Sequence, residues 1–173
     1  SKSPLLTAEL SVTASAVVCT PGISDRILLT ADDGSLNVFE VGNSEPIQSL
    51  FDDEVEADAT ALCAFSLDGK YYAAVGFSDG HMSIWSLDTY EITLRLRAHT
   101  LDIKALSYDP STQIMATASR DRNVRMWRLS MNEEDSLDVK LHSAFCKEFS
   151  ALNSKVDVSN LPTNVKSRFN APK

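Results

Sequence analysis

The chain has 173 residues, of which 43% are hydrophobic and 23% charged, and its six Gly and six Pro exclude a collagenous or low-complexity protein. No apolar run reaches the about 18 residues that a membrane-spanning helix needs, so no membrane span is predicted. The net charge of −8 is unevenly distributed: residues 1–90 carry 14 acidic and three basic residues, whereas residues 91–130 carry four acidic and seven basic ones. Because an acidic first half is a poor match for a phosphate backbone, nucleic-acid binding is disfavoured.

Residues 5–10 form the first predicted strand, and a segment of four short strands follows it. Pro21-Gly22 and Asp32-Asp33-Gly34 supply the backbone conformations that tight turns between strands require. The predicted strands of this first repeat are 12–20, 26–31, 35–41 and 47–51.

The next two segments repeat the same strand pattern. The turns of the second repeat are Ser66–Gly69, Ser78–Gly80 and Leu87–Thr89, and residues 91–97 alternate polar and apolar as a half-exposed outer strand does. The remaining predicted strands are 60–65, 70–75 and 81–86 in the second repeat, and 103–108, 113–119 and 123–129 in the third.

An aspartate followed six residues later by an aromatic residue marks each repeat. The pairs are Asp33 with Phe39, Asp79 with Trp85, and Asp121 with Trp127, and successive aromatics are 46 and 42 residues apart. A four-stranded propeller blade takes about 40–45 residues. The sequence therefore predicts an all-β chain built from blades.

Residues 131–173 leave this pattern. Residues 132–136 are an acidic linker, and 137–141 alternate like the outer strand of the third blade. Ser143 is placed to cap a helix over about 143–156 with Phe145 and Phe149 on its apolar stripe, which either packs on its own domain, the favoured interpretation, or binds a partner. The Pro-punctuated remainder predicts an extended tail.

These residues resemble the WD40-repeat β-propeller family, most closely from Arg97-Ala-His-Thr through Met126-Trp127-Arg128. The resemblance implies a partial propeller over 1–130, with blades at about 12–51, 59–97 and 102–141 and strand 5–10 from a preceding blade. Residues 131–173 then hold the linker, the last outer strand, the short helix and the tail. Since propellers have about four to eight blades, three blades cannot close a ring. We expect the remaining blades to come from the rest of a longer chain, the favoured interpretation, or from a partner chain.

The family's hydrogen-bonded tetrad of His, Ser or Thr, Asp and Trp falls by position on His99, Ser119, Asp121 and Trp127. The second repeat keeps Asp79 and Trp85 but has Phe77 where the hydroxyl belongs. The first keeps Asp33, with Phe39 in place of Trp. For Asp33, Asp79 and Asp121, turn and tetrad roles are favoured over catalysis, because these aspartates recur at one place in each repeat. Trp85 and Trp127 are favoured as core residues over ligand-binding ones, and a structural role is favoured for His99 because no second metal ligand lies at a useful spacing from it.

Arg120 and Arg122 flank Asp121 on the face where WD40 proteins usually bind peptides, although alternating solvated strand faces are the favoured explanation of the arginines. The predicted partner contacts are Arg120, Arg122, Asp102, Phe77, Phe145 and Phe149.

Chemistry-bearing motifs are missing from the sequence: there is no GxSxG, P-loop, GxGxxG or HExxH. Cys19, Cys63 and Cys146 form no CxxC pair or Cys/His cluster, which argues against disulfides or zinc and for reduced thiols in an intracellular protein. We therefore predict no enzyme activity, cofactor or metal.

The resemblance implies an intracellular, cytoplasmic or nuclear, non-catalytic scaffold that binds protein subunits or peptides in a multiprotein complex. One alternative is a ribonucleoprotein or trafficking-complex subunit that docks through its C-terminal helix and tail. Another is a module that binds nucleic acid or lipid through the Arg-rich third blade, and a third is an enzyme or its regulatory domain.

Overall fold

The structure, a computed structural model, describes residues 12–23 and 25–144. Within these residues the chain forms twelve β-strands and no helix. In chain order they are β1 (Ala14–Cys19), β2 (Arg26–Ala31), β3 (Leu36–Glu40), β4 (Gln48–Leu50), β5 (Ala59–Leu67), β6 (Lys70–Phe77), β7 (His81–Ser86), β8 (Ile92–Arg97), β9 (Ile103–Asp109), β10 (Ile114–Ser119), β11 (Val124–Met131) and β12 (Leu137–Ala144).

The strands pair into three separate four-stranded antiparallel sheets, each with its strands in sequence order: β1–β4 (blade one), β5–β8 (blade two) and β9–β12 (blade three). The first strands of the blades are neighbours, since β5 contacts both β1 and β9. Consecutive blades therefore stack face to face with their first strands innermost. This arrangement confirms the predicted all-β partial propeller.

Alternation along the strands of blade two supplies two cores, one on each face. In β6 and β7, odd-numbered residues such as Val75 and Phe77 pack toward blade one, and even-numbered residues such as Met82 and Ile84 pack toward blade three. Because both faces are covered, β6 and β7 are almost continuously buried. Trp85 lies in the first core and Trp127 in the second.

The two ends of the sheets form two faces of the molecule. We call upper the face that holds the turns between the second and third strands of each blade and the connectors between blades. The lower face holds the other turns, between first and second and between third and fourth strands. The turns at Asp33, Asp79 and Asp121 are all on the upper face.

The predicted helix cap at Ser143 is wrong, because β12 continues through Ala144. Ser143 pairs with Met126 and Ala144 with Arg125. A register shift between Met126 and Trp127 lets the pairing continue beyond Leu141, so the strand's backbone groups find partners on β11 that a helix would have left unused. The predicted strand 5–10, the rest of the predicted helix and the tail lie outside the described residues.

Candidate functional site

Four side chains at the upper end of blade three form one hydrogen-bonded chain, the blade-three latch (His99, Thr117, Asp121 and Trp127). Trp127 Nε1 donates to Thr117 Oγ1 at 3.0 Å, Thr117 Oγ1 lies 2.7 Å from His99 Nε2, and His99 Nδ1 lies 3.0 Å from Asp121 Oδ2. A neutral His99 with its hydrogen on Nδ1 satisfies every member, because the indole then donates to the hydroxyl, the hydroxyl to the imidazole, and the imidazole to the carboxylate. The latch ties the connector between blades two and three to β10 and β11.

Thr117, and not the predicted Ser119, supplies the hydroxyl of the latch. Trp127 pairs with Met115, which is two residues from Thr117 and four from Ser119, and each residue adds about 3.3 Å along a strand. The Ser119 hydroxyl instead donates to Leu101 O at 2.8 Å and accepts from Asp121 N at 3.1 Å. Ser119 therefore shapes the turn, while Thr117 holds the buried ring nitrogens.

The three turn aspartates share one local role. In each, Oδ1 accepts a hydrogen bond from the amide two residues later, at 3.0 Å for Asp33, 3.0 Å for Asp79 and 2.9 Å for Asp121. Such side-chain bonds fix tight turns. Asp79 Oδ2 is 2.6 Å from His81 Nδ1 of its own turn, so only Asp121 of the three reaches a histidine from the preceding connector.

Asp121 carries the negative charge of the latch. Burial acts to raise the pKa of this carboxyl, but hydrogen bonds from the Asn123 amide, from His99 and from the Thr100 amide outweigh it and hold the pKa well below its usual range. The carboxylate therefore stays ionised at neutral pH, and it orients the imidazole.

The blade-three latch supports an exposed turn that carries Arg120 and Arg122. The Arg120 amide donates to Asp102 O at 2.9 Å, and the Arg122 amide donates to Ser119 O at 3.1 Å. Arg122 has a φ of 68°, which places its backbone in the left-handed region. Both guanidinium groups are thus presented from a backbone that is fixed on two sides.

Asp102 is close to these arginines but has a partner of its own. Its carboxylate pairs with Lys104 Nζ at 2.9 Å, and its backbone oxygen holds the Arg120 amide. The Lys104 hydrogen bond holds the pKa of Asp102 below its ordinary value. Asp102 therefore positions the turn, and it leaves the surface around the turn mainly basic.

Phe77 is not available as a partner contact, which corrects that prediction. Its side chain is only 1% exposed and lies in the core between blades one and two. The reason is strand alternation: Phe77 ends β6 on the side that faces blade one. The other two predicted aromatic contacts, Phe145 and Phe149, lie outside the described residues.

Blade two has a different fastening, the blade-two clamp (Asp52, Ser83 and Arg95), which sequence reasoning missed. The Asp52 carboxylate is 1% exposed and accepts two bonds from Arg95 Nε, both at 2.9 Å, and a hydrogen bond from Ser83 Oγ. Burial acts to raise the pKa of Asp52, but Arg95 and Ser83 outweigh it and hold the pKa below its usual range. The available signal was the acidic connector at residues 52–58, followed by two arginines, Arg95 and Arg97, in the outer strand of the blade that the connector enters.

The described residues form neither a candidate metal-binding cluster nor a candidate membrane-spanning helix. No three His, Cys, Asp or Glu side chains converge on a point in this part of the chain. Among the described residues there is no helix that is long and apolar enough to cross a bilayer.

Comparison with known proteins places a family match on the segment from β8 of blade two, through the connector, into β11 of blade three. Residues 90–128 match the family described as "WD domain, G-beta repeat". Among curated proteins, "Protein hir1" of Schizosaccharomyces pombe is 34% identical over 73 residues, which are 42% of this chain and 8% of that protein. "Protein HIR1" of Kluyveromyces lactis is 28% identical over 131 residues, 69% of this chain and 14% of that protein. The chain thus matches only a small part of the length of these relatives.

Solved structures share the fold. The β-propeller domain of Cps50 (Swd1) from Myceliophteria thermophila matches with a TM-score of 0.66 and 15% identity, covering 80% of this chain and 47% of that one. The structure of U3-55K matches with a TM-score of 0.61 and 20% identity, covering 79% of this chain and 42% of that one. At these identities the likeness concerns the blade architecture.

Proposed function

Since the chain belongs to the WD40-repeat family of β-propellers, we propose that it is a non-catalytic, intracellular scaffold that holds protein partners within a multiprotein assembly. In this proposal, acidic segments of a partner dock on the upper face of blade three. Stacked blades give a rigid support on which loops can carry binding residues. The relatives above are matched over only a small part of their length. The partners of the whole protein are therefore part of this proposal.

The observation that carries the proposal is the fixed basic turn above the blade-three latch. Arg120 and Arg122 are exposed, and the turn that bears them is held by buried hydrogen bonds on one side and by Asp102 on the other. Because the backbone of the turn is already ordered, only the arginine side chains lose conformational freedom when they bind a carboxylate, and each guanidinium can form two parallel hydrogen bonds with it. Arg97, exposed at the upper end of β8, adds one further cation on this face.

The test uses a fluorescent peptide of alternating Glu and Ser, titrated into the full chain at several salt concentrations. We expect Arg120→Ala combined with Arg122→Asn to weaken binding at least tenfold and to flatten its salt dependence. Asn at position 122 keeps a residue that tolerates positive φ. The matched control is Arg128→Ala, since Arg128 is exposed and donates to Thr112 O beside the lower face.

The proposal fails if the Arg120→Ala/Arg122→Asn protein binds the acidic peptide as tightly as the parent. It also fails if Arg128→Ala causes an equal loss. A single-stranded oligonucleotide serves as the competing probe, and tighter binding of that probe than of the acidic peptide would support a nucleic-acid-binding role instead.

A further inference from the structure

A cavity of about 290 Å³ opens between blades two and three on the lower face, opposite the basic turn. Blade two contributes Lys70, Ser86, Asp88 and Thr89, and blade three contributes Asp135. Tyr72 and Leu137, both almost fully buried, also line it. We call this cavity the lower pocket.

The charged groups of the lower pocket are two carboxylates and one amine. Lys70 Nζ lies 2.5 Å from Asp135 Oδ2, across the junction of the two blades. Asp88 Oδ2 accepts a hydrogen bond from the Tyr71 amide at 3.4 Å. In the described part of the chain, Asp88 and Asp135 each use Oδ2 in these two hydrogen bonds. The Oδ1 atom of each carboxylate, one from each blade, can therefore accept a hydrogen bond from another donor.

Nearby carboxylates make the electrostatic environment of Tyr72, which lines the lower pocket, more negative. Burial raises the pKa of the Tyr72 hydroxyl; Lys70 opposes this shift, and the charges of Asp135, Asp88 and Asp68 add to it. The single ammonium of Lys70 therefore faces two carboxylates, Asp135 and Asp88, and the remaining negative charge would attract a second cation to the pocket.

Size limits what can enter. Small-molecule sites are typically about 300–1,000 Å³, so the lower pocket is at or just below that range and suits one long side chain. A guanidinium has five N–H donors in one plane and can bridge two acceptors, whereas an ammonium acts as a point charge. The methylene stem of an arginine can also pack against Tyr72 and Leu137.

We propose that the lower pocket binds the side chain of an arginine in an extended segment of a partner protein. The arginine donates to the Asp88 carboxylate of blade two and to the Asp135 carboxylate of blade three. This site is separate from the upper face in position and opposite to it in charge. The two proposals therefore stand or fall independently.

The experiment titrates the full chain with a labelled nonapeptide containing three arginines spaced by Gly and Ser, and with the same peptide carrying citrulline, which has the shape of arginine without its charge. We expect the arginine peptide to bind at least tenfold more tightly. Asp88→Asn and Asp135→Asn should each weaken its binding about tenfold, the effect of one charge-assisted hydrogen bond. Asn at position 135 tolerates the φ of 60° found there.

Lys70→Gln gives the sharpest readout, because it should tighten binding several-fold by removing the cation that competes for Asp135. If Lys70 had only a structural role at the blade junction, Lys70→Gln would weaken binding instead. Asp53→Asn, an exposed acidic residue in the upper-face connector, is the matched control and should change nothing.

Equal affinity for the arginine and citrulline peptides would overturn the proposal, and so would weaker binding by Lys70→Gln. Thermal unfolding of each variant confirms that the blades remain folded. If Asp135→Asn unfolds, Asp88→Asn carries the test, since Asp88 is exposed and lies outside the ion pair. The acidic-peptide titration of the upper face should be unchanged by the substitutions at Lys70, Asp88 and Asp135.

Discussion

At the scale of single residues, two hydroxyls on β10 differ in what their loss would expose. Thr117→Val keeps the shape of the side chain but removes the acceptor of Trp127 Nε1 and the partner of His99 Nε2, both buried. A buried polar group without a partner costs about 1–3 kcal/mol. We therefore expect Thr117→Val to lower the free energy of unfolding by about 2–4 kcal/mol, measured by urea denaturation.

Ser119→Ala is the control for that measurement. Its hydroxyl bonds only to backbone groups near the surface, so its loss should cost less than about 1 kcal/mol. An equal loss of stability in the two variants would contradict the assignment of Thr117 to the blade-three latch.

Sequence reasoning located the latch to within two residues and could not do better. Thr117 and Ser119 point to the same side of β10, so alternation alone does not choose between them. What decides is the register of β10 with β11, which places Trp127 opposite Met115. Phe77 shows the same limit: whether the last residue of a strand is exposed depends on the neighbouring blade that covers it.

At the scale of turns, Gly80 and Gly69 allow the effect of packing to be separated from the effect of backbone conformation. Both have positive φ, 91° and 80°, so any alanine there costs about 1–2 kcal/mol. A Cβ at Gly69 would meet nothing within 4 Å, whereas one at Gly80 would lie 2.2 Å from His99 O. We expect Gly80→Ala to lower the thermal midpoint far more than Gly69→Ala.

The reason for that difference is the connector that carries His99. The His99 amide donates to Gly80 O at 2.9 Å, so the connector is held directly against the upper turn of blade two. An alanine at position 80 would push this connector away and disturb the blade-three latch as well. Similar midpoints for the two alanine variants would show that the close approach has no energetic consequence.

Turn chemistry explains why the strands of the described blades could be predicted. Asp-Gly and Pro-Gly pairs restrict where the chain can reverse, and the alternation between them sets which residues are buried. The end of β12 could not be predicted in this way. Its continuation to Ala144 depends on pairing with β11 across a register shift, and that pairing has no local signal at Ser143.

At the scale of the whole molecule, the blades are fastened to one another by two kinds of contact. The blade-three latch is a chain of hydrogen bonds from indole to carboxylate through an imidazole, whereas the blade-two clamp is an ion pair between residues 43 positions apart. A pairing of that range leaves no periodic trace in the sequence. The repeat therefore predicts that blades exist, but not how each one is attached.

Packing between blades two and three depends on one small residue, Gly76. A Cβ there would lie 2.6 Å from Cγ2 of Ile103, the buried first residue of β9. Gly76→Ala should therefore destabilise the chain by about 1–3 kcal/mol through overpacking, and Ile103→Ala by about 2–5 kcal/mol through a cavity. Because the second change removes Cγ2 and Cδ1 of Ile103 and leaves only its Cβ, 2.8 Å from the added Cβ, the double variant should lose at least about 1 kcal/mol less than the sum. Denaturant unfolding of the full chain measures all three variants.

Gly76→Ala combined with Leu129→Ala is the control, since Leu129 is buried in the same core but is not among the close neighbours of Gly76, and that pair should be additive. Additivity of Gly76→Ala with Ile103→Ala would mean that the blades are not in direct contact at this point, and that their spacing is set elsewhere in the stack.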